Sequence, residues 1–172
     1  MSDPCYDCLR WEKNGQFKFI NSAVYEYNPA MKDYMKRYKF AGDYRLRKVF
    51  FDQIHEQLKK QSAIIVPIPV GKDTMTTRGF NQVTGLLEND RYLNLLSVRF
   101  DKKAVRQSAK NRQGRLLLDQ PFEMIESQKN QVKNQAVLLV DDVYTTGTTI
   151  RHAAALIQQA GATSVKGFNL AR

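Results

Sequence analysis

Cysteine and histidine are scarce in this chain, with two of each among 172 residues. Two cysteines cannot make the disulfide framework of a small secreted domain, which agrees with a reducing compartment. Two histidines leave no candidate triad, so covalent catalysis lacks its usual parts. Long hydrophobic runs are missing as well. The longest, Ala63 to Val70, is interrupted by Pro67 and Pro69 and falls far short of the roughly 20 residues of a membrane helix, so the chain is not expected to be transmembrane. Met1-Ser2-Asp3-Pro4 places an acid where a secretory signal has a basic start and an apolar stretch, which points to the cytoplasm. A Walker-type phosphate loop, a Gly-x-Gly-x-x-Gly turn and a Gly-x-Ser-x-Gly elbow are all absent. An ATPase, a dinucleotide enzyme and an α/β-hydrolase therefore lose their usual support.

What is present is the composition of one folded domain. Hydrophobic residues at 42% and charged residues at 26% sit near the averages for globular chains, and the length excludes two large domains. Acids are in deficit, 17 against 27 basic residues, for a formal charge of +10. Two readings stand: a polyanionic ligand or partner, or a solvated basic surface with no specific ligand. From Arg99 to Arg115 the chain carries Arg99, Lys102, Lys103, Arg106, Lys110, Arg112 and Arg115 against Asp101 alone. That stretch reads as a mobile, phosphate-seeking loop.

Residues 1–16 read as an irregular leader, and Phe17 to Tyr27 alternates as a strand or hairpin. Asn28-Pro29 sets a cap and a first-turn proline for a helix that ends at Gly42, with Met31, Tyr34, Met35 and Tyr38 on one face. A longer amphipathic helix is expected from Tyr44 to Lys60. Ala63 to Val70 suits a strand buried on both faces, as in a parallel sheet. A helix follows from Asn81 to Leu87, then short strands at Leu95 to Phe100 and Phe122 to Ile125, with a polar connector from Ser127 to Gln135. The clearest unit comes last: a strand at Ala136 to Val140, a turn from Asp141 to Gly147, a helix from Thr148 to Ala160, and a strand from Ser164 to Leu170. Strand, helix, strand in this length implies a parallel crossover and an α/β fold.

The chemistry concentrates at that turn. An apolar strand delivers Asp141 and Asp142 to its carboxyl end, where ligands bind in open α/β sheets. Thr145, Thr146, Gly147, Thr148 and Thr149 then lead into a helix whose free amides and positive dipole end attract an anion. The carboxylates repel a phosphate, so they suit sugar hydroxyls beside it, with magnesium near. The plainer alternative is an ordinary strand-to-helix turn capped by threonine and aspartate. Val137 to Thr149 resembles the signature of type I phosphoribosyltransferases, with Tyr144 standing where the general pattern has an aliphatic residue. The resemblance implies a mostly parallel sheet flanked by helices. It also implies ribose hydroxyls on Asp141 and Asp142, with magnesium held there indirectly, and the 5-phosphate on Thr145 to Thr149.

Val66-Pro67-Ile68-Pro69 and Arg78-Gly79-Phe80-Asn81-Gln82 narrow the resemblance to the ComF/ComFC competence family. Gly71 and Lys72, after the proline strand, and Arg78 are candidates for a pyrophosphate; for Arg78 a surface salt bridge is the alternative. Phe80 reads as a packing anchor and Asn81 as a helix cap. Lys110 and Arg115 fall where such proteins carry a basic flexible loop. Cys5-x-x-Cys8 is half of a zinc site, since structural zinc takes four ligands, and free thiols are the alternative. Proteins of this kind begin with a four-cysteine module, which makes zinc a possible cofactor of a longer chain. The resemblance divides the chain into the leader and a phosphoribosyltransferase-like domain, 17–172, of which 17–60 is a variable cap. It implies binding of phosphoribosyl pyrophosphate with magnesium and a role in handling transforming single-stranded DNA. It also implies a helicase-like competence partner that recruits the chain to the inner face of the membrane. An active phosphoribosyltransferase acting on an unidentified nucleobase or amine is the alternative. Tyr34, Tyr38 and Tyr44 either stack on bases or pack the core.

Overall fold

The computed structural model describes residues 19–88, 90–99 and 120–172. In chain order the elements are β1 (Ile20–Tyr25), α1 (Pro29–Met35) prolonged by a π turn (Lys36–Phe40), and a 3₁₀ segment (Tyr44–Phe50) leading into α2 (Phe51–Leu58). Then come β2 (Ile64–Pro67), α3 (Lys72–Arg78), α4 (Gln82–Leu87), β3 (Leu96–Val98), β4 (Phe122–Met124) and a second 3₁₀ segment (Glu126–Val132). The chain closes with β5 (Ala136–Val143), α5 (Thr148–Gln159) and β6 (Ser164–Ala171). Four strands form a parallel sheet in the order β1-β6-β5-β2, and β3 pairs with β4 antiparallel.

The α/β expectation holds, and the central strand shows why. Successive side chains of a strand point to opposite faces. Val137 and Leu139 of β5 therefore pack on one side with Ile150, Ala153 and Ile157 of α5. Leu138 and Val140 pack on the other with Met31, Met35, Ile54, Val83 and Leu86 of α1, α2 and α4. A strand covered on both faces needs the unbroken apolar run Ala136 to Val140.

The structure departs from the sequence-based boundaries in several places, four of which shape the site or its surroundings. β5 continues to Val143, because Asp141 and Val143 keep register with Asn169 and Ala171 of β6. Carboxylates disfavour strands in isolation, but a ready ladder partner overrides that preference. The helix α3 was not expected. Its Lys-Asp-Thr-Met-Thr-Thr-Arg sequence buries no residue, so it lacks the apolar stripe by which a helix is recognised. The expected helix from Tyr44 to Lys60 begins instead as a 3₁₀ segment. The helix opened by Asn28, whose side chain accepts from the Met31 amide at 2.9 Å, passes into a π turn. That turn buries Tyr38 completely, stacks it on Phe80 at 5.3 Å and lets its hydroxyl donate to the Gln82 carbonyl at 2.8 Å. Gly85 accommodates this contact, since a Cβ there would collide with the Tyr38 hydroxyl. Among the described residues no helix is long and apolar enough to cross a membrane.

Candidate phosphate and ribose site

β2 and β5 lie side by side, with Pro67 opposite Val140 and the Ile68 amide bonded to the Val140 carbonyl at 2.9 Å. The chain leaves β2 towards α4 on one face and leaves β5 into α5 on the other. Connections that diverge in this way open a crevice at the carboxyl ends of adjacent parallel strands. Asp141, near the end of β5, and the turn from Tyr144 into α5 stand there.

Alternation along β5 separates the two acids. Asp141 lines a small recess with Val143, Tyr144, Thr145, Gly147, Thr148, Thr149 and Ile150. Its Oδ1 accepts from the Asp142 amide at 2.9 Å. Burial pushes the Asp141 carboxyl above the usual carboxylate range; the Asp142 charge adds to the rise, and the Asp142 amide and Lys39 oppose it.

Asp142 turns to the opposite face, only 4% exposed. Its Oδ1 accepts from the Val143 amide at 2.6 Å, and its Oδ2 forms an ion pair with Lys39 Nζ at 2.5 Å. The π turn that carries Lys39 is held in turn by Arg78, whose Nε donates to the Lys39 carbonyl at 2.8 Å and whose Nη1 bonds Gln82 Oε1. Burial pushes the phenols of Tyr34 and Tyr38 up, and the Asp142 charge adds to both.

The turn itself depends on Gly147. Its φ of +74° lies in the left-handed region, and a Cβ there would collide with the Tyr144 hydroxyl and ring. Gly147 opens α5 and its carbonyl accepts from Arg151 at 3.0 Å. Thr146 and Thr148 bond through their hydroxyls at 2.9 Å. The recess of about 20 Å³ matches a single water, or one oxygen of a larger group.

The structure thus gathers Asp141, Thr145, Gly147, Thr148 and Thr149 around one recess, with Thr146 hydrogen-bonded to Thr148 and Asp142 on the other face. Gly71 caps α3 and Lys72 is its exposed first residue. Arg78 faces Lys39 and Gln82. Phe80 packs on Tyr38 and Tyr44, and Asn81 caps α4 through the Val83 amide at 2.8 Å while bonding the Ile68 carbonyl at 3.0 Å. Cys5, Cys8, Lys110 and Arg115 lie outside the described residues. Tyr38 is fully buried and Tyr44 is 43% exposed. Lys39 escaped the sequence reading altogether. One lysine in Lys36-Arg37-Tyr38-Lys39 carries no local mark of its partner more than a hundred residues away. Asn169, opposite Asp141 in the ladder, was also missed; it is fully buried, with no hydrogen bond to its side-chain amide among the described residues.

A parallel sheet whose carboxyl edge presents an acidic doublet and a hydroxyl-rich glycine turn at the head of a helix defines a phosphoribosyltransferase-type domain. A family model described as "Phosphoribosyl transferase domain" matches residues 48–171. Within that class the chain belongs to the ComFC competence proteins. It is 44% identical over 175 residues to Competence protein ComFC of Streptococcus pneumoniae, a match covering 100% of this chain and 76% of that one. It is 33% identical over 177 residues to Competence protein ComFC of Bacillus subtilis, covering 98% and 72%. Among solved structures it is similar to the allosteric regulatory enzyme of purine biosynthesis, with 16% identity and a TM-score of 0.47 over 80% of this chain and 30% of that one. The chain thus spans less than a third of that enzyme's length.

Proposed function

We propose that this chain binds phosphoribosyl pyrophosphate, with the 5-phosphate at the start of α5 and the ribose hydroxyls on Asp141. The observation that carries the reading is the oxygen-sized recess that Asp141 shares with Thr145, Thr148, Thr149 and the opening of α5. A phosphate oxygen seated there meets free amides and hydroxyls, while the carboxylate alongside accepts from the neighbouring hydroxyls. Among the described residues no group of three or more His, Cys, Asp or Glu could cage a metal. This suits magnesium, which keeps most of its waters and binds through one or two carboxylates plus substrate phosphates. Asp141 is the residue that would hold it, through water. Magnesium so placed would neutralise charge on the pyrophosphate. The chain's own part is to fix the ribose, and Asp142 contributes from behind by anchoring Lys39. Calorimetric titration with phosphoribosyl pyrophosphate should show saturable binding that strengthens with magnesium; no heat in either condition overturns the reading. Labelled phosphoribosyl pyrophosphate with a panel of nucleobases and amines separates a binding module, the favoured reading, from an active transferase.

Membership of a competence family supports a role in handling transforming single-stranded DNA beside a helicase-like partner at the membrane. The surface of the π turn and the 3₁₀ segment favours the DNA part. Phe40 is 79% exposed and Tyr44 43% exposed, beside the exposed cations Lys36, Arg37 and Lys48, while Arg45 and Arg47 are ion-paired with Asp43 and Glu88. Bases stack on aromatic rings while cations neutralise phosphates, and each stacked base contributes about 1–3 kcal/mol. Binding of a single-stranded oligonucleotide should weaken steeply between about 50 and 200 mM salt, and Phe40→Ala should weaken it at every salt concentration. An absence of binding at low ionic strength eliminates this role.

A further inference from the structure

Tyr144 has a polar atom with no task in the free chain. The residue is only 5% exposed, its amide is bonded to the Ala171 carbonyl at 2.9 Å, and the Arg172 guanidinium lies 5.1 Å from its ring centroid. Its hydroxyl makes no hydrogen bond among the described residues. The ring folds back over its own turn, so that the hydroxyl occupies the space a Cβ on Gly147 would need, where α5 opens. Tyr144 also lines the recess that faces Asp141.

An aliphatic side chain would cover Gly147 equally well and offer no proton. The ring is buried while its hydroxyl keeps some contact with solvent, and the recess that Tyr144 lines is an oxygen-sized space at a helix N-terminus, where anions are favoured. We propose that the Tyr144 hydroxyl donates a hydrogen bond directly to the phosphate monoester seated at the start of α5. This makes Tyr144 a ligand-binding residue and the source of a preference for a 5-phosphorylated pentose over the bare sugar. The inference rests on the proposed site for phosphoribosyl pyrophosphate and adds a residue to it. The ring stays in place when the ligand binds, and one phosphate oxygen replaces the water-sized gap beside the hydroxyl.

Tyr144→Phe keeps the ring and its packing on Gly147 and removes only the donor. Ribose 5-phosphate and inorganic pyrophosphate are titrated separately into the full chain and the variant, with thermal melting as the check on folding. The expected result is a loss of about tenfold in affinity for ribose 5-phosphate, as for a hydrogen bond to a charged group. Pyrophosphate affinity and melting temperature should be unchanged. Equal affinity of the two proteins for ribose 5-phosphate overturns the inference and leaves the proposed site standing. A tighter-binding variant also overturns it, and would make the phenol an obstruction. If the unaltered chain binds neither probe nor phosphoribosyl pyrophosphate, the site and the inference fall together.

Discussion

Replacing Lys39 by methionine should destabilise this protein by about 3–5 kcal/mol, the usual consequence of stripping a buried charge of its partner. Asp142 is 4% exposed, and Lys39 Nζ stands 2.5 Å from its Oδ2. Without the lysine, that oxygen is left in a low-dielectric site facing the phenol-rich side of the sheet. For a chain of this size the loss corresponds to a fall of about 6–20 °C in melting temperature. Lys36→Met, three residues earlier on an exposed position, should change stability by less than about 0.5 kcal/mol. The double variant Lys39→Met, Asp142→Asn should recover most of the loss, because two neutral groups need no ionic compensation. If Lys39→Met melts with Lys36→Met, the ion pair contributes nothing and the π turn is held by Arg78 and Tyr38 alone.

Asp141→Asn should act in the opposite sense on stability and strongly on binding. Burial and the Asp142 charge raise the Asp141 pKa, so the folded state holds this proton more tightly than the unfolded chain does. Stability from this group is therefore greatest below the ordinary carboxylate pKa near ~4 and is lost as pH rises through the elevated folded value. Removing the charge relieves that penalty. Thermal melts across pH should show the variant gaining on the unaltered protein as pH climbs, with the two converging in acid. Affinity for phosphoribosyl pyrophosphate should fall by about 100-fold or more, since hydrogen bonds to a charged acceptor are worth about 1.5–3 kcal/mol each and a carboxylate receives two from a ribose. A stabilised variant that still binds within threefold would remove Asp141 from the ligand site. A variant that loses binding with no pH-dependent gain would show instead that burial does not penalise the charge.

These two outcomes divide a pair of residues that the chain presents as equals. Asp141 and Asp142 are neighbours of the same type after the same apolar strand. A reading of the sequence ends that strand at Val140 and assigns both acids to the ligand. The continued ladder with Asn169 and Ala171 puts them on opposite faces, one in the recess and one against Lys39. Arg78 is a similar case. A basic residue beside a glycine reads as a pyrophosphate contact or a surface salt bridge; in the fold its Nε donates to the Lys39 carbonyl.

The sequence alone determined the α/β class, the setting of the acidic doublet and its hydroxyl-rich turn between a strand and a helix, and the roles of Asn81 and Phe80. Each rests on a local rule: an apolar run long enough to bury both faces, a hydroxyl and glycine turn at a helix start, a capping asparagine, an aromatic ring seeking cover. Only the tertiary structure decided which acid lines the recess, what pairs with the other, and where the Tyr144 hydroxyl ends. Those outcomes depend on residues far apart in the chain brought together by register and packing, and no local pattern around Lys39, Asp142 or Gly147 encodes the partner it will meet.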